Sequence, residues 1–221
     1  MFYWKPEQEV YLIEQVLFKK KYTIREFYRA LYKGFHTFKD LRMGKKSGRL
    51  SNHFVERIML AVTEVNGCEV CSYAHTKIAL EQGMDEKEIK GLLSGTASDI
   101  PEDEMLAILF AQHYADTKGN PTEESWNRIL AAYGEQTALG ILGATRLIMA
   151  GNIYGLAMSA LKSRIKGRPV KGFSFIYEAG MLISAVPFLP AAVIHAFILK
   201  RMQSPMIQFE PEKAGQGTLT N

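Results

Sequence analysis

The stretch Ser51-Asn-His-Phe-Val-Glu-Arg-Ile-Met-Leu-Ala-Val-Thr-Glu-Val-Asn66-Gly67-Cys68-Glu-Val-Cys71-Ser-Tyr-Ala-His75 decides how this chain is read. Phe54, Ile58, Ala61, Val62 and Val65 recur at the three- and four-residue intervals of an amphipathic helix. Ser51 stands where an N-cap belongs, so a helix is predicted over 52–65. Asn66-Gly67 breaks it. A second helix is predicted over 68–82, stopped by Gly83.

The same pattern extends in both directions. Helices are predicted over 7–20 and 23–33, the latter with Thr23 and Glu26 spaced as a capping box. Residues 34–48 read as a basic, glycine-containing linker carrying Lys39, Arg42, Lys45 and Lys46, with Arg49 nearby: a solvated loop first and an anion patch second. Downstream, Asp85 and Glu88 suggest a short capped helix reaching Leu93. Pro101, at the first helical position, opens another that ends before Gly119-Asn120-Pro121. Thr122 and Ser125 begin a helix to Tyr133. A long helical stretch follows over 135–166, where Gly140, Gly143, Ala144, Gly151 and Gly155 permit close helix packing. No alternating strand runs and no internal repeat appear. The predicted fold class is all-α, a helix bundle.

The composition fits that class. The chain has 221 residues, 47% of them hydrophobic and 23% charged, with a formal net charge of +4. This is ordinary globular composition. The charge is too mild, and too little interleaved with aromatics, to argue for nucleic acid. No nucleotide-binding glycine signature is present. Two cysteines are too few for a disulfide scaffold or an all-thiolate zinc site. The first residues lack the organisation of a signal peptide, which makes the cytoplasm the expected location. Residues 179–199 complicate this. They hold no charged side chain and are about long enough to cross a bilayer, yet Pro187 and Pro190 sit in their middle, where they would break or kink a single helix. The two readings are a membrane attachment, and two short apolar helices buried in a core or an oligomer interface. Residues 204–221 read as a loose tail.

Both cysteines fall in Cys68-Glu-Val-Cys71-Ser-Tyr-Ala-His75. On a helix Cys68 and Cys71 lie about 60° apart and can meet as a disulfide. Cys71 and His75, four apart, lie on one face, shared by Ala74, Ile78 and Ala79, so the site is expected to point inward. The Asn66-Gly67 break puts Cys68 at a helix N-terminus, where free N–H groups stabilise a thiolate. An imidazole within reach can move the proton. These are the parts of a thiol–disulfide exchange site. Three other readings stand beside it. A structural disulfide closing so short a loop would stabilise only weakly. A zinc site from Cys68, Cys71 and His75 would need a fourth ligand such as Glu56 or water. Two inert buried thiols are the third reading. Periodicity puts Glu56 about 150° from the apolar stripe of its helix, on a solvated face.

The segment closely resembles the AhpD-like family of the carboxymuconolactone decarboxylase superfamily. The resemblance lies in a glutamate, eleven residues, then C-x-x-C-x-x-x-H: Glu56, residues 57–67, Cys68, Cys71 and His75. The flanking Glu56-Arg-Ile-Met-Leu-Ala-Val, Lys77-Ile-Ala-Leu-Glu-Gln-Gly and Asp103-Glu-Met-Leu-Ala-Ile-Leu-Phe-Ala are also similar, and the likeness spans about 52–160. It implies an all-helical fold assembled into homo-oligomers (trimers or hexamers). It implies a thiol-dependent peroxidase or disulfide reductase that uses no cofactor and no metal. Cys68 and Cys71 would be the redox pair and Glu56 and His75 the proton relay. Cys71, one turn from His75, would attack and Cys68 resolve, although the helix-terminus argument alone favours Cys68 as the thiolate. The substrate would be a hydroperoxide or a disulfide and the electron donor a dithiol such as a lipoyl group. A peroxiredoxin is an allowed partner. Some members carry His or Tyr directly before the second cysteine where this chain has Val70, which puts the full peroxidase rate in question. The decarboxylase branch lacks the cysteine pair, so muconolactone decarboxylation is not implied.

The division expected along the chain is a helical extension over 1–50, the AhpD-like redox domain over 51–166, an apolar helical segment over 167–203 and a flexible tail over 204–221. His36, His53, His113 and His195 are expected to be surface or internally satisfied. Tyr73 is expected to pack between helices, and Met105, Met149 and Met158 to fill the core. The rival function, from a different class, is a membrane-associated or scaffold protein in which 179–199 is the working part.

Overall fold

The computed structural model of the chain describes residues 17–96, 100–207 and 209. Among these residues there are seven helices and no strand: α1 (Ile24–Lys46), α2 (Asn52–Asn66), α3 (Glu69–Glu81), α4 (Glu86–Ser94), α5 (Glu102–Asp116), α6 (Glu123–Ile165) and α7 (Phe175–Arg201). The fold is all-α. α6 is its axis, with α1, α2, α3, α5 and α7 packed against it.

Local signals set the helix ends. Thr23 Oγ1 accepts from the Glu26 N–H while a Glu26 carboxylate oxygen accepts from the Thr23 N–H at 2.6 Å, a complete capping box. Ser51 accepts from the Phe54 N–H, and Asp85 caps α4 through the N–H groups of Lys87 and Glu88. Pro101 stands at the cap position of α5 rather than one residue inside it. Gly134, at φ 71° and ψ 160°, interrupts α6 between its 123–133 and 135–165 parts, at the break predicted after Tyr133. Of the helix predicted over 7–20, residues 7–16 lie outside the described residues, and 17–20 are not helical.

The linker expected over 34–48 is instead the second half of α1. Gly34, Thr37, Leu41 and Gly44 are buried and continue the stripe begun by Phe27 and Leu31. Gly34, Thr37 and Leu41 face α6 so closely that a Cβ on Gly143 would lie 2.8 Å from the Thr37 carbonyl oxygen and 2.9 Å from Leu41 Cβ, while Gly44 makes room for the Leu50 side chain. Each helical glycine costs about 1 kcal/mol relative to alanine, and close packing over several turns offsets it. Glycine therefore works here as a contact surface and not as a stop. Lys39, Arg42, Lys45, Lys46 and Arg49 are exposed, as expected, but the first four ride on a helix.

α7 is a single helix that runs through both Pro187 and Pro190, and not the two short helices expected of the soluble reading. One face holds it in place: Glu178, Met181, Ala192 and Ala196 are buried against α1 and α6. The Glu178 carboxylate accepts from Arg164 Nε at 2.7 Å and from Nη2 at 2.9 Å. Helix breaking by proline is a cost of about 3 kcal/mol, which tertiary contacts on the opposite face can exceed. The outer face carries Ile176, Ile183, Val186, Ile194 and Phe197, all exposed. By length and composition α6 and α7 are each long and apolar enough to cross a membrane. The apolar stretch of α6 is mostly buried in the core and that of α7 lies mostly on the surface. Beyond α7, the Met206 carbonyl accepts from Arg146, and Ile207 and Phe209 pack on the core.

Candidate redox site

The site is built where α2 ends and α3 begins. Gly67 caps α2 in the left-handed conformation at φ 68°, which a side chain would strain. That turn puts Cys68 at the N-cap of α3, with its Sγ accepting from the Cys71 N–H at 3.4 Å. Cys68 and Cys71 are joined as a disulfide across the first turn, with Cα atoms 5.3 Å apart. Cys68 is completely buried, whereas Cys71 keeps 8% of its surface exposed.

A third helix completes the seat. A Cβ on Gly155 of α6 would lie 2.6 Å from Cys68 Sγ, 2.7 Å from Cys71 Sγ and 2.9 Å from Val70 Cγ1. The disulfide therefore rests on bare helix backbone. One turn earlier, the Gly151 carbonyl oxygen is 3.7 Å from Cys71 Sγ. One turn later, Ser159 Oγ accepts from the Val70 N–H. Between them Asn152 is buried and accepts from Thr63 Oγ1 at 3.1 Å. The role of Gly155 as a seat for both sulfurs was missed in the sequence reading, which had only the recurrence of small residues four apart as a general packing signal. Asn152 and Ser159 carried no signal.

His75 and Glu56 meet. His75 Nδ1 donates to Glu56 Oε2 at 2.8 Å, which leaves Nε2 as the free position of the ring. Glu56 is only 6% exposed, so the solvated face assigned to it by periodicity is overturned. α2 packs on α3, α4, α5 and α6 together and buries most of its circumference, including Val55, Met59 and Leu60 beside the expected stripe. The one-stripe argument assumes one buried face. Next to Glu56, Arg57 bridges Glu88 of α4 and Glu104 of α5. Burial raises the Glu104 pKa against the opposing pull of Arg57.

The inward-pointing face expected of α3 is also corrected. α3 buries only Cys71 and Ala79, while Ala74 and Ile78 are exposed. The site thus lies just under the surface, with the His75 side chain 17% exposed. Tyr73 is 73% exposed and packs on nothing in the core; of the methionines, Met149 is buried and Met158 exposed.

The other histidines are engaged elsewhere. His53 Nε2 bonds the Gln82 carbonyl, His113 Nε2 accepts from the Thr122 N–H, and His195 Nδ1 pairs with the Tyr28 hydroxyl. His36 is buried, which lowers its pKa. Among the described residues no three His, Cys, Asp or Glu side chains are grouped as metal ligands.

This is an arrangement that can move electrons through a sulfur pair and protons through an imidazole–carboxylate pair. No curated protein and no solved structure matches the chain. Residues 31–111, which run from the middle of α1 through the whole cysteine–histidine segment to α5, match the carboxymuconolactone decarboxylase family. The match covers that segment, 81 of the 221 residues, and is a likeness of the segment.

Proposed function

We propose that the chain is a thiol-dependent oxidoreductase in which Cys68 and Cys71 cycle between dithiol and disulfide, with Glu56 and His75 as the proton relay. One observation carries the reading: a disulfide at a helix N-terminus is followed one turn on by a histidine whose Nδ1 is held by a buried glutamate. A bare structural disulfide needs no such pair.

In the proposed cycle the Cys71 thiolate attacks the terminal oxygen of a hydroperoxide. The O–O bond breaks, the alcohol leaves with a proton delivered through His75, and Cys71 becomes a sulfenic acid. Cys68 then attacks that sulfur and water leaves. The disulfide is reduced by an external dithiol such as a lipoyl group, which is itself oxidised. The greater exposure of Cys71 favours it as the attacking atom. The same pair could pass electrons from the dithiol to a peroxiredoxin instead of reducing peroxide itself. A homo-oligomer is part of the proposal, because α3 and α7 leave apolar surface uncovered in the single chain.

The test is a thiol count on the reduced protein before and after one equivalent of hydroperoxide. Loss of two thiols, reversed by a dithiol, is expected in the wild type and absent from Cys68→Ser and Cys71→Ser. Full peroxide turnover in both variants overturns the proposal.

A second reading is favoured by the outer face of α7, which displays Ile176, Ile183, Val186 and Phe197 to solvent. Here the chain attaches to a membrane through α7 and the sulfur pair is secondary. Fractionation with and without detergent separates the two. Full recovery without detergent removes the second reading, and detergent-dependent recovery that Val186→Glu abolishes supports it.

A further inference from the structure

Arg146 projects from α6 on the side away from the sulfur pair's segment and is only 2% exposed. Its Nε donates to the Tyr114 hydroxyl at 3.1 Å and its Nη2 to the Met206 carbonyl at 2.7 Å. Its Nη1 is buried with no partner among the described residues. Both acceptors are neutral. A buried cation with neither a counter-charge nor a full set of hydrogen bonds is strongly unfavourable.

A second cation stands beside it. Lys33 of α1 reaches the Gly119 carbonyl at 3.1 Å. Burial first, and then the charges of Arg146 and Arg29, pull its pKa down to about 8. The two flank a cavity of about 170 Å³ whose walls include Tyr32, His36, His195 and Met206. At roughly 30 Å³ per water this is room for five or so waters, or for a ligand of a few heavy atoms. On the far side of Arg146 and Lys33 is a space of only about 20 Å³, enough for one water. Two acids of α1 stand near this face. Glu26 lines the smaller space with Lys33 and Arg146, but its carboxylate pairs with Lys118 at 3.3 Å. Asp40 acts on His36, and one of its carboxylate oxygens is buried without a partner among the described residues. Neither acid forms an ion pair with Arg146 or Lys33 among the described residues.

We propose that this cavity binds a small oxyanion, a carboxylate or a phosphate group, on Nη1 of Arg146 and the ammonium of Lys33. The ligand supplies the negative charge and the acceptor that the fold leaves out. Tyr32, His36, His195 and Ser204 add further hydrogen-bonding groups to the lining. The site is separate from the sulfur pair. Arg146 precedes Gly155 by nine residues of one helix, about 13 Å along its axis. The inference therefore stands whether or not the proposed redox cycle does.

The experiment uses the full chain with inorganic phosphate, acetate and succinate, each against sodium chloride of matched ionic strength. Titration calorimetry and thermal unfolding are the readouts. At least one oxyanion should bind and raise the melting temperature above the chloride control. A response to phosphate alone assigns a phosphate group, and a response to acetate or succinate alone assigns a carboxylate. Arg146→Gln should abolish binding. Lys33→Gln should weaken it about tenfold, the loss expected of one charge-assisted hydrogen bond. If Arg146→Gln does not fold, Lys33→Gln decides, because among the described residues its ammonium otherwise meets only a backbone carbonyl. No response of the wild type beyond chloride overturns the site, and unchanged affinity in Lys33→Gln overturns its placement.

Discussion

His75 Nδ1 lies 2.8 Å from Glu56 Oε2, although the two residues are 19 apart in sequence and sit on different helices. The bond fixes the imidazole's orientation and its tautomer, because a carboxylate oxygen only accepts. Nε2 is then the nitrogen able to take a proton.

Glu56→Gln keeps the side chain's shape and an acceptor for Nδ1 but removes the charge that stabilises an imidazolium. Turnover of hydroperoxide with a dithiol should fall by about a hundredfold, the low end for general acid–base catalysis. The Cys68–Cys71 disulfide should still form with a strong oxidant. Steady-state rates and a thiol titration check the two halves. Wild-type rates in both Glu56→Gln and His75→Asn would remove the relay from the mechanism.

Gly155→Ala tests the seat of the disulfide. In an open helix this change would stabilise by about 0.5–1 kcal/mol. Here the new Cβ falls 2.6 Å and 2.7 Å from the two sulfurs, so α3 must move off α6. A net loss of about 1–3 kcal/mol is expected, as for other overpacked sites. Urea unfolding of the oxidised protein measures it, and a rise in stability would mean that the sulfurs do not rest on this glycine.

Arg57→Met removes the cation that Glu88 and Glu104 share. Two nearly buried carboxylates are left facing each other without a counter-charge, a loss of about 3 kcal/mol at neutral pH. Acid should partly restore the variant relative to wild type, because protonating either carboxylate relieves the repulsion. Denaturant midpoints at pH 7 and pH 5 provide the comparison.

Lys33 makes stability depend on alkaline pH. The folded chain releases this proton near pH 8, while the unfolded chain holds it to about 10.4. Between those values the unfolded state binds more protons, so stability should rise with pH. Burial raises the pKa values of Tyr22, Tyr133 and Tyr177, which acts in the opposite direction but only above about pH 10, where the unfolded tyrosines ionise first. Urea midpoints at pH 7.5, 8.5 and 9.5 should climb in the wild type and flatten in Lys33→Met. Equal slopes would show that Lys33 keeps its proton on folding.

Much of the helical fold is legible locally. Thr23, Ser51, Asp85 and Gly67 mark helix ends by hydrogen bonds and φ values that involve only their near neighbours. Those signals do not depend on what the helix later packs against. The reading over 34–48 fails because Gly34 and Gly44 are helix breakers only in the absence of a partner. Gly34 meets the α6 backbone at Arg146 and Gly44 the Leu50 side chain beyond the helix end, and periodicity within α1 shows neither contact. Pro187 and Pro190 mislead for the same reason, since the face that holds α7 together lies opposite them and touches other helices.

The sequence by itself determined the helical class, the turn that puts Cys68 at a helix start, and the four-residue spacing that sets Cys71 and His75 on one face. Backbone geometry dictates each of these over a few residues. Only the tertiary structure decided that Glu56 is buried against His75, that both sulfurs rest on Gly155, and that Arg146 is enclosed without an ion pair among the described residues. Each depends on side chains 19 or more residues apart meeting in space. Helical periodicity can name the face a residue occupies but cannot say how many of a helix's faces the rest of the chain will cover.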